Sequence, residues 1–468
     1  MIKSHSRDTE IFLENFELQA VEARCFGVAY NSRRLEEVWN VAGQIVCESS
    51  IVPPVYIQDK VRQLRTASQL SLIDRYDRLK KAGQIYAEAT LAGLDPKTYI
   101  SLVSSVTGLQ KSVVENSLTN IAHGLCHMNE ILKASTSYGA VWDIADSAAL
   151  QGSSLFSRRG EVVSIIAAGN GPGVHGLWPQ AIAMGYRTLV KPSLREPFTA
   201  QRLVHAMELA QLEEYAAFIP TDHKGAETMI LESDLAIVYG GRDVAAKYAN
   251  NPKILVQGPG RSKIVVGRDV DYKKAVALVT QSALALGGAA CVSTSAVLVE
   301  CDPEEFAREL REEFKLHSQS HSLILCRKQE GDVYAKILEA DKDASWNYIQ
   351  TPHGCALPPH VTLVDSVSDI KVQRELPFPC VVVAPFNAED DSCYKALSDS
   401  LVVTVLSHQE KIINKVLADA SISNVYIGNI STTWMDFRVP HDGYLADFLM
   451  CNRGVRVESG WLNPPTRK

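Results

Sequence analysis

The stretch Leu284-Ala285-Leu286-Gly287-Gly288-Ala289-Ala290-Cys291 ends an apolar helical pattern in a bend of small residues that presents a thiol. Val292-Ser293-Thr294-Ser295-Ala296-Val297-Leu298-Val299 then reads as a strand with β-branched residues. Small side chains ahead of Cys291 let a carbonyl carbon approach sulfur and leave backbone N–H groups to face a developing oxyanion. That is how a cysteine nucleophile is displayed. A buried structural cysteine after a tight bend looks the same, so the choice falls to the rest of the chain.

A second stretch could hold a phosphate. Glu161–Ala167 is strand-like and runs into Ala168-Gly169-Asn170-Gly171-Pro172-Gly173-Val174-His175-Gly176, where Gly171, Gly173 and Gly176 match G-x-G-x-x-G in the strand-to-helix context that lets backbone approach a pyrophosphate. The ordinary dinucleotide fold then wants an acidic residue after the next strand. Here that strand ends in Lys191-Pro192-Ser193-Leu194-Arg195, a basic end that suits a cofactor with an extra phosphate.

These stretches lie in a part of the chain that alternates strand and helix. Strand patterns at 161–167, 187–191, 217–220, 234–239 and 253–256 are separated by helical ones near 175–185, 198–211, 224–232 and 242–250. Such alternation implies an α/β fold with a doubly wound parallel sheet that binds ligands at the carboxyl ends of its strands. Residues 35–135 read as helical with little strand character, and 138–160 as an irregular segment fit for a short hairpin.

Composition narrows the class. Apolar residues make up 46% of the 468, charged residues 22%, and the net charge is -7, an ordinary globular balance that gives no reason to expect nucleic acid or anionic membrane as a partner. Ten cysteines without a CxxC pair suggest neither a disulfide framework nor a metal site, and point to a reducing cytoplasm. Met1 to Asp8 lack the apolar core of a signal peptide, and the most apolar long run, 275–291, is broken by Thr280-Gln281-Ser282 and falls short of a membrane span.

Residues of about 160 to 440 resemble the aldehyde dehydrogenase superfamily. Asn170 falls in the asparagine loop after the first strand, Lys191-Pro192-Ser193 on its Lys-Pro-Ser step, and Val238-Tyr239-Gly240-Gly241 on its aromatic, small residue and glycine turn. Val256-Gln257-Gly258-Pro259-Gly260-Arg261-Ser262 falls on the glutamate loop, at the family interval before Cys291. Glu375-Leu376-Pro377-Phe378-Pro379 matches the Glu-x-Phe-Gly-Pro segment loosely, and Leu401–Leu406, a helix and Val425–Asn429 repeat the closing strand, helix and strand. Asp77-Arg78-Leu79, Lys81-Ala82-Gly83-Gln84 and the ending Pro440-His441-Asp442-Gly443-Tyr444 look most like the luminescence-type acyl-CoA reductases (the LuxC family).

The resemblance implies a variant Rossmann cofactor domain (1–137 and 160–258, with a helical N-terminal part), an α/β catalytic domain (259–440), and bridging or oligomerisation segments (138–159 and 441–468). It implies Cys291 as nucleophile, and Asn170 with the Cys291 N–H as oxyanion donors. Lys191, Ser193 and Arg195 would hold the adenosine ribose and phosphate, Gly240 and Gly241 the pyrophosphate, and Glu375 the nicotinamide ribose. One departure bears on direction. Gln257 stands where a hydrolytic member needs a carboxylate to activate water, and an amide is no such base.

The expected activity is therefore reduction of an activated acyl group, as acyl-CoA, another thioester or an acyl adenylate passed on by an activating synthetase, to the aldehyde through an acyl-cysteine. NADPH is favoured over NADH, because Leu194 replaces the glutamate of NAD-preferring members and Arg195 stands next to it. No metal is expected, and the superfamily implies a homodimer or homotetramer. A CoA-acylating aldehyde dehydrogenase working oxidatively and a non-catalytic acyl-carrying or scaffold subunit stay open. His175 and His441 qualify as the proton donor by residue type alone.

Overall fold

The computed structural model describes residues 20–340 and 346–461. Met1 to Asp8, read above for a leader, and the ends 1–19 and 462–468 of the assigned segments lie outside the described residues.

Two parallel sheets carry the chain. The first has seven strands in the order Ile254–Gln257, Leu235–Tyr239, Val162–Ile166, Arg187–Lys191, Ala216–Phe218, Ala23–Cys25 and Val28–Tyr30, the last two antiparallel at one edge. The second has six, in the order His360–Leu363, Cys380–Pro385, Ala296–Val299, Lys263–Val266, Val402–Leu406 and Asn424–Ile427, all parallel. Arg187–Lys191, Lys263–Val266, Ala296–Val299 and Val402–Leu406 are buried at every position. Helices covering both faces explain why these runs read as continuous β-branched stretches instead of alternating ones.

The helices begin where their caps say they should. Ser71 accepts from the Asp74 N–H, Asp95 caps Pro96–Thr107, Asp271 caps Tyr272–Leu284, and Asp302 caps Pro303–Ser320. Five helices between Pro54 and Ser135 supply the N-terminal helical part. Leu72–Glu88 and Lys111–Cys126 pack their apolar faces into the same core as Phe198–Leu209, beneath the first sheet.

Two local expectations change. Residues 35–50 form an antiparallel ribbon, Leu35–Trp39 with Ile45–Ser50, not helix. The segment after residue 138 is no hairpin: Ala140–Val141 pairs in parallel with Ser153–Arg158 across a short helix, and Ser153–Arg158 pairs with Met450–Val455, a partner invisible locally. No helix among the described residues is long and apolar enough to cross a membrane, and no cluster of three or more His, Cys, Asp or Glu there could hold a metal ion.

Candidate active site

Helix Tyr272–Leu284 stops where Leu286, Gly287 and Gly288 take left-handed φ values of 55°, 70° and 67°, turning the chain back to put Cys291 between the sheets. Gly260 is fixed by close approach. A Cβ there would lie 2.1 Å from the Cys291 carbonyl oxygen, so the loop after Gln257 can lie on the cysteine backbone only without a side chain. The Ser262 hydroxyl donates to the same carbonyl at 2.9 Å, and the Ser295 N–H donates back to the Ser262 carbonyl at 2.9 Å.

The sulfur stands 3.7 Å from His441 Nε2. Beside it lies an apolar wall of Val292, Leu401 and Val402 with Leu286, Ala290 and Tyr426. Burial pushes the Cys291 thiol up to about 12, and the charges of Glu375 and Asp442 push the same way. Burial also lowers the His441 imidazole, with Asp442 opposing. Both groups therefore rest neutral, as a thiol facing an imidazole that can take its proton. The loop is braced: the His441 carbonyl accepts from Asn424 Nδ2, Asp442 accepts from the Ser423 hydroxyl at 2.8 Å, and the Tyr444 hydroxyl donates to the Arg438 carbonyl at 3.0 Å.

Of the two histidines singled out by type, only His441 reaches the sulfur. His175 is fully buried, accepts from Trp178 Nε1 at 3.1 Å, and is pulled down to about 3 by burial. It cannot serve as the acid and is a packing residue.

Asn170 comes to the cysteine loop, its Nδ2 donating to the Ala289 carbonyl at 3.1 Å. A cavity of about 30 Å³, room for roughly one water, lies against Asn170 and Ala289. At the carboxyl ends of the first sheet, the buried Lys191 ammonium donates to the Pro192 carbonyl at 3.0 Å, and burial lowers it while Glu36 and Asp222 hold it up. The Ser193 hydroxyl accepts from the Arg195 N–H at 3.2 Å and lies where a Cβ on Gly169 would be, 2.2 Å away, so the first two strand ends touch. Gly240 receives Gly258 against its carbonyl, and Gly241 has open space around it at the start of Arg242–Tyr248. Gln257 is buried at the end of its strand, ahead of the cis Gly258–Pro259 bond. Glu375 accepts from the Arg261 N–H at 2.6 Å.

Arg195 departs from expectation. Its guanidinium is ion-paired with Glu330 at 3.1 Å and reaches the Thr107 carbonyl at 3.4 Å, so its charge is answered from within the protein and is not held ready for a cofactor phosphate. Sequence reasoning gave no role to Ser262, which ties the Cys291 carbonyl to the loop after Gln257, or to Lys263, whose ammonium donates to the Arg261 carbonyl of that loop.

The donor set fits a dinucleotide. A buried ammonium with N–H groups to spare, a hydroxyl and an open glycine at a helix start follow the carboxyl ends of the two strands that flank Val162–Ile166, the edge where parallel sheets bind nucleotides.

Comparison with known proteins bears on the whole arrangement. The model of the aldehyde dehydrogenase family matches residues 159–447, more than half of the chain. Malonate-semialdehyde dehydrogenase 2 of Bacillus mycoides (strain KBAB4) is 25% identical over 185 residues, 37% of this chain and 37% of that protein. Malonate-semialdehyde dehydrogenase 1 of Geobacillus kaustophilus (strain HTA426) is 28% identical over 170 residues, 34% of this chain and 35% of that one. The match thus spans little more than a third of these relatives' length. Among solved structures, an NAD-dependent aldehyde dehydrogenase from Sinorhizobium meliloti superposes with a TM-score of 0.78 at 15% identity, covering 96% of this chain and 97% of that one. An indole-3-acetaldehyde dehydrogenase complexed with NAD+ gives 0.76 at 16% identity, covering 95% and 98%. At such identities the superpositions establish the fold, an aldehyde dehydrogenase-like pairing of a Rossmann-like sheet with a second α/β domain.

Proposed function

The chain belongs to the aldehyde dehydrogenase family, and within it we propose a nicotinamide-dependent reductase that converts an activated acyl group to the aldehyde through an acyl thioester on Cys291. One observation carries this reading. The position that would activate water holds Gln257, and the carboxylates whose charges reach the thiol, Glu375 and Asp442, are held by the Arg261 N–H and the Ser423 hydroxyl. An acyl-enzyme formed here has no carboxylate base to hydrolyse it.

His441 takes the thiol proton as sulfur attacks the acyl carbonyl, and returns it to the departing thiol of the carrier. The Asn170 amide, already anchored beside the loop at Ala289, and the Cys291 N–H are the donors for the oxyanion. Lys191 and Ser193 would hold the adenosine ribose, Gly240 and Gly241 would admit the pyrophosphate, and Glu375 would bind the nicotinamide ribose. When bound, the reduced nicotinamide supplies hydride to the acyl carbon. The carbon–sulfur bond then breaks to release the aldehyde, and a proton drawn from solvent through His441 restores the Cys291 thiol, so each turnover consumes one proton.

The finer reading is a luminescence-type acyl-CoA reductase, for which Asp77-Arg78-Leu79 and Pro440–Tyr444 speak. Its preference for NADPH now rests on Leu194 alone, since Arg195 faces Glu330. The proposed assembly is a homodimer or homotetramer joined through the edge strand Met450–Val455, whose Asn452, Arg453 and Gly454 are exposed. The names of the malonate-semialdehyde dehydrogenases favour a second reading, the same acyl-cysteine chemistry run oxidatively to a thioester.

A panel of acyl-CoAs and acyl adenylates, offered with NADPH and NADH, tests the proposal. Aldehyde formation is expected. Acyl-CoA made from aldehyde, CoA and oxidised cofactor, with no aldehyde made in the other direction, assigns the oxidative reading. Failure to bind either cofactor at millimolar concentration leaves a scaffold.

A further inference from the structure

Lys263 begins the central strand Lys263–Val266 of the second sheet, in register with Ala296 on one side and Val403 on the other, and is fully buried. Among the described residues its hydrogen-bond partners include no carboxylate. The ammonium donates to the Arg261 carbonyl at 2.9 Å, to Gln373 Oε1 at 3.2 Å and to the Ser400 hydroxyl at 2.9 Å, three neutral acceptors from three segments. Gln373 Nε2 donates to the Ala396 carbonyl at 2.7 Å, which turns its oxygen toward the lysine. A charge taken out of water without a hydrogen-bonded counter-ion is costly, and an apolar residue fills a core more cheaply. The lysine therefore holds something that an apolar residue would not.

What it holds is the setting of Glu375. Arg261, left-handed at a φ of 48°, gives its N–H to Glu375 and its carbonyl to Lys263, so one residue links carboxylate and ammonium. Gln373 ends a short helical turn two residues before Glu375, and Ser400 precedes Leu401, whose N–H donates to the Gly260 carbonyl at 2.7 Å. The three contacts of the ammonium thus fix both sides of the Arg261–Glu375 hydrogen bond and the loop that lies on Cys291.

We infer that Lys263 is the positioning residue for the nicotinamide end of the cofactor, presenting Glu375 to the ribose through Arg261 and Gln373. This rests on the proposed role of Glu375. Only the protonated form donates to all three, because a neutral amine has two N–H groups and must take its third contact, from the Ser400 hydroxyl, on its lone pair. Burial pulls Lys263 down to about 7, Arg261 in its own loop adds to the fall, and Glu375 and Asp399, from the segments packed against it, oppose it. As the pH rises through neutrality the charge is lost, the hydrogen bonds to Arg261 and Gln373 weaken and that to Ser400 reverses, and cofactor affinity falls with them.

The test measures the NADPH dissociation constant by tryptophan fluorescence at pH 6 and pH 8.5, beside the alkylation rate of Cys291 by iodoacetamide. The proteins compared are the unaltered one, Lys263→Met and Gln373→Met. Lys263→Met should bind NADPH at least about tenfold more weakly at pH 6, the factor expected for one lost hydrogen bond to a charged group. It should also lose the pH step seen in the unaltered protein, while Cys291 alkylation changes less than about twofold. Gln373→Met keeps the lysine and should weaken binding less, with the step retained, so the inference stays testable if Lys263→Met does not fold. A folded Lys263→Met, or Gln373→Met in its place, that binds as tightly as the unaltered protein at both pH values overturns the inference alone. An alkylation rate that falls in parallel with affinity also overturns it, since general loosening would then account for both. Binding of neither NADPH nor NADH by the unaltered protein overturns the cofactor reading itself.

Discussion

At the carboxyl ends of the seven-stranded sheet the buried lysine is left short of partners, whereas around the thiol most polar groups are met, the buried Tyr239 hydroxyl excepted. Among the described residues Lys191 has one carbonyl for three N–H groups, and Gly173 and Gly241 border open space. Across the crevice Lys263 has three acceptors, the Cys291 carbonyl is taken by Ser262, and Asn424 holds the His441 carbonyl. The contrast matches two tasks. A ligand that comes and goes has to find unmet hydrogen bonds, while a nucleophile and its proton acceptor gain most from groups that need not move.

The largest test of that contrast is His441→Asn. It should lower the single-turnover rate by about 10²- to 10⁴-fold and leave the cofactor dissociation constant unchanged. An equal loss in both would erase the division between the two sides.

Glu196 sharpens the contrast, because it ends the loop that carries Lys191 and Ser193. It is fully buried, with one oxygen accepting from the Thr199 N–H at 2.8 Å and the other without a partner among the described residues. Burial raises its carboxyl from 4.5 to about 7. The folded protein holds this proton more tightly than the unfolded chain does, so the associated stability is whole below pH 4.5 and is lost as the pH rises through 7. Glu196→Gln should match the unaltered protein at pH 4 and exceed it at pH 8.5 by about 3 kcal/mol, as urea unfolding would show. Equal stabilities at pH 8.5 would place a counter-charge near Glu196 and make this side as well compensated as the other.

Lys191→Met is the smallest change. It should weaken cofactor binding by about tenfold, the worth of one charged hydrogen bond, without destabilising the protein, since it removes a poorly partnered buried charge. A marked loss of stability with affinity intact would assign Lys191 to the framework.

Much of this was legible in the sequence. The runs 161–167, 187–191 and 234–239 read as buried strands because helices cover both faces, and the structure sets strands at Val162–Ile166, Arg187–Lys191 and Leu235–Tyr239. The ribbon at 35–50 was not legible. Leu35-Glu36-Glu37-Val38-Trp39 is exposed at every position but Val38, so no face alternates cleanly and the charges mimic a helix surface. Within the site, local chemistry announced itself: the small residues before Cys291 mark a displayed thiol. Long-range partners did not. His441 meets the sulfur from far along the chain, Arg195 is claimed by Glu330, and Lys263 looks like a solvated strand end until three distant acceptors enclose it.

The central claim is that the Cys291 sulfur carries the acyl group. Incubation with an acyl-CoA in the absence of nicotinamide, followed by peptide mass analysis, measures it directly. The acyl mass should appear on the Cys291 peptide, persist without hydrolysis, and be missing from Cys291→Ala. Label on another cysteine, or aldehyde formation that survives Cys291→Ala, would contradict the account.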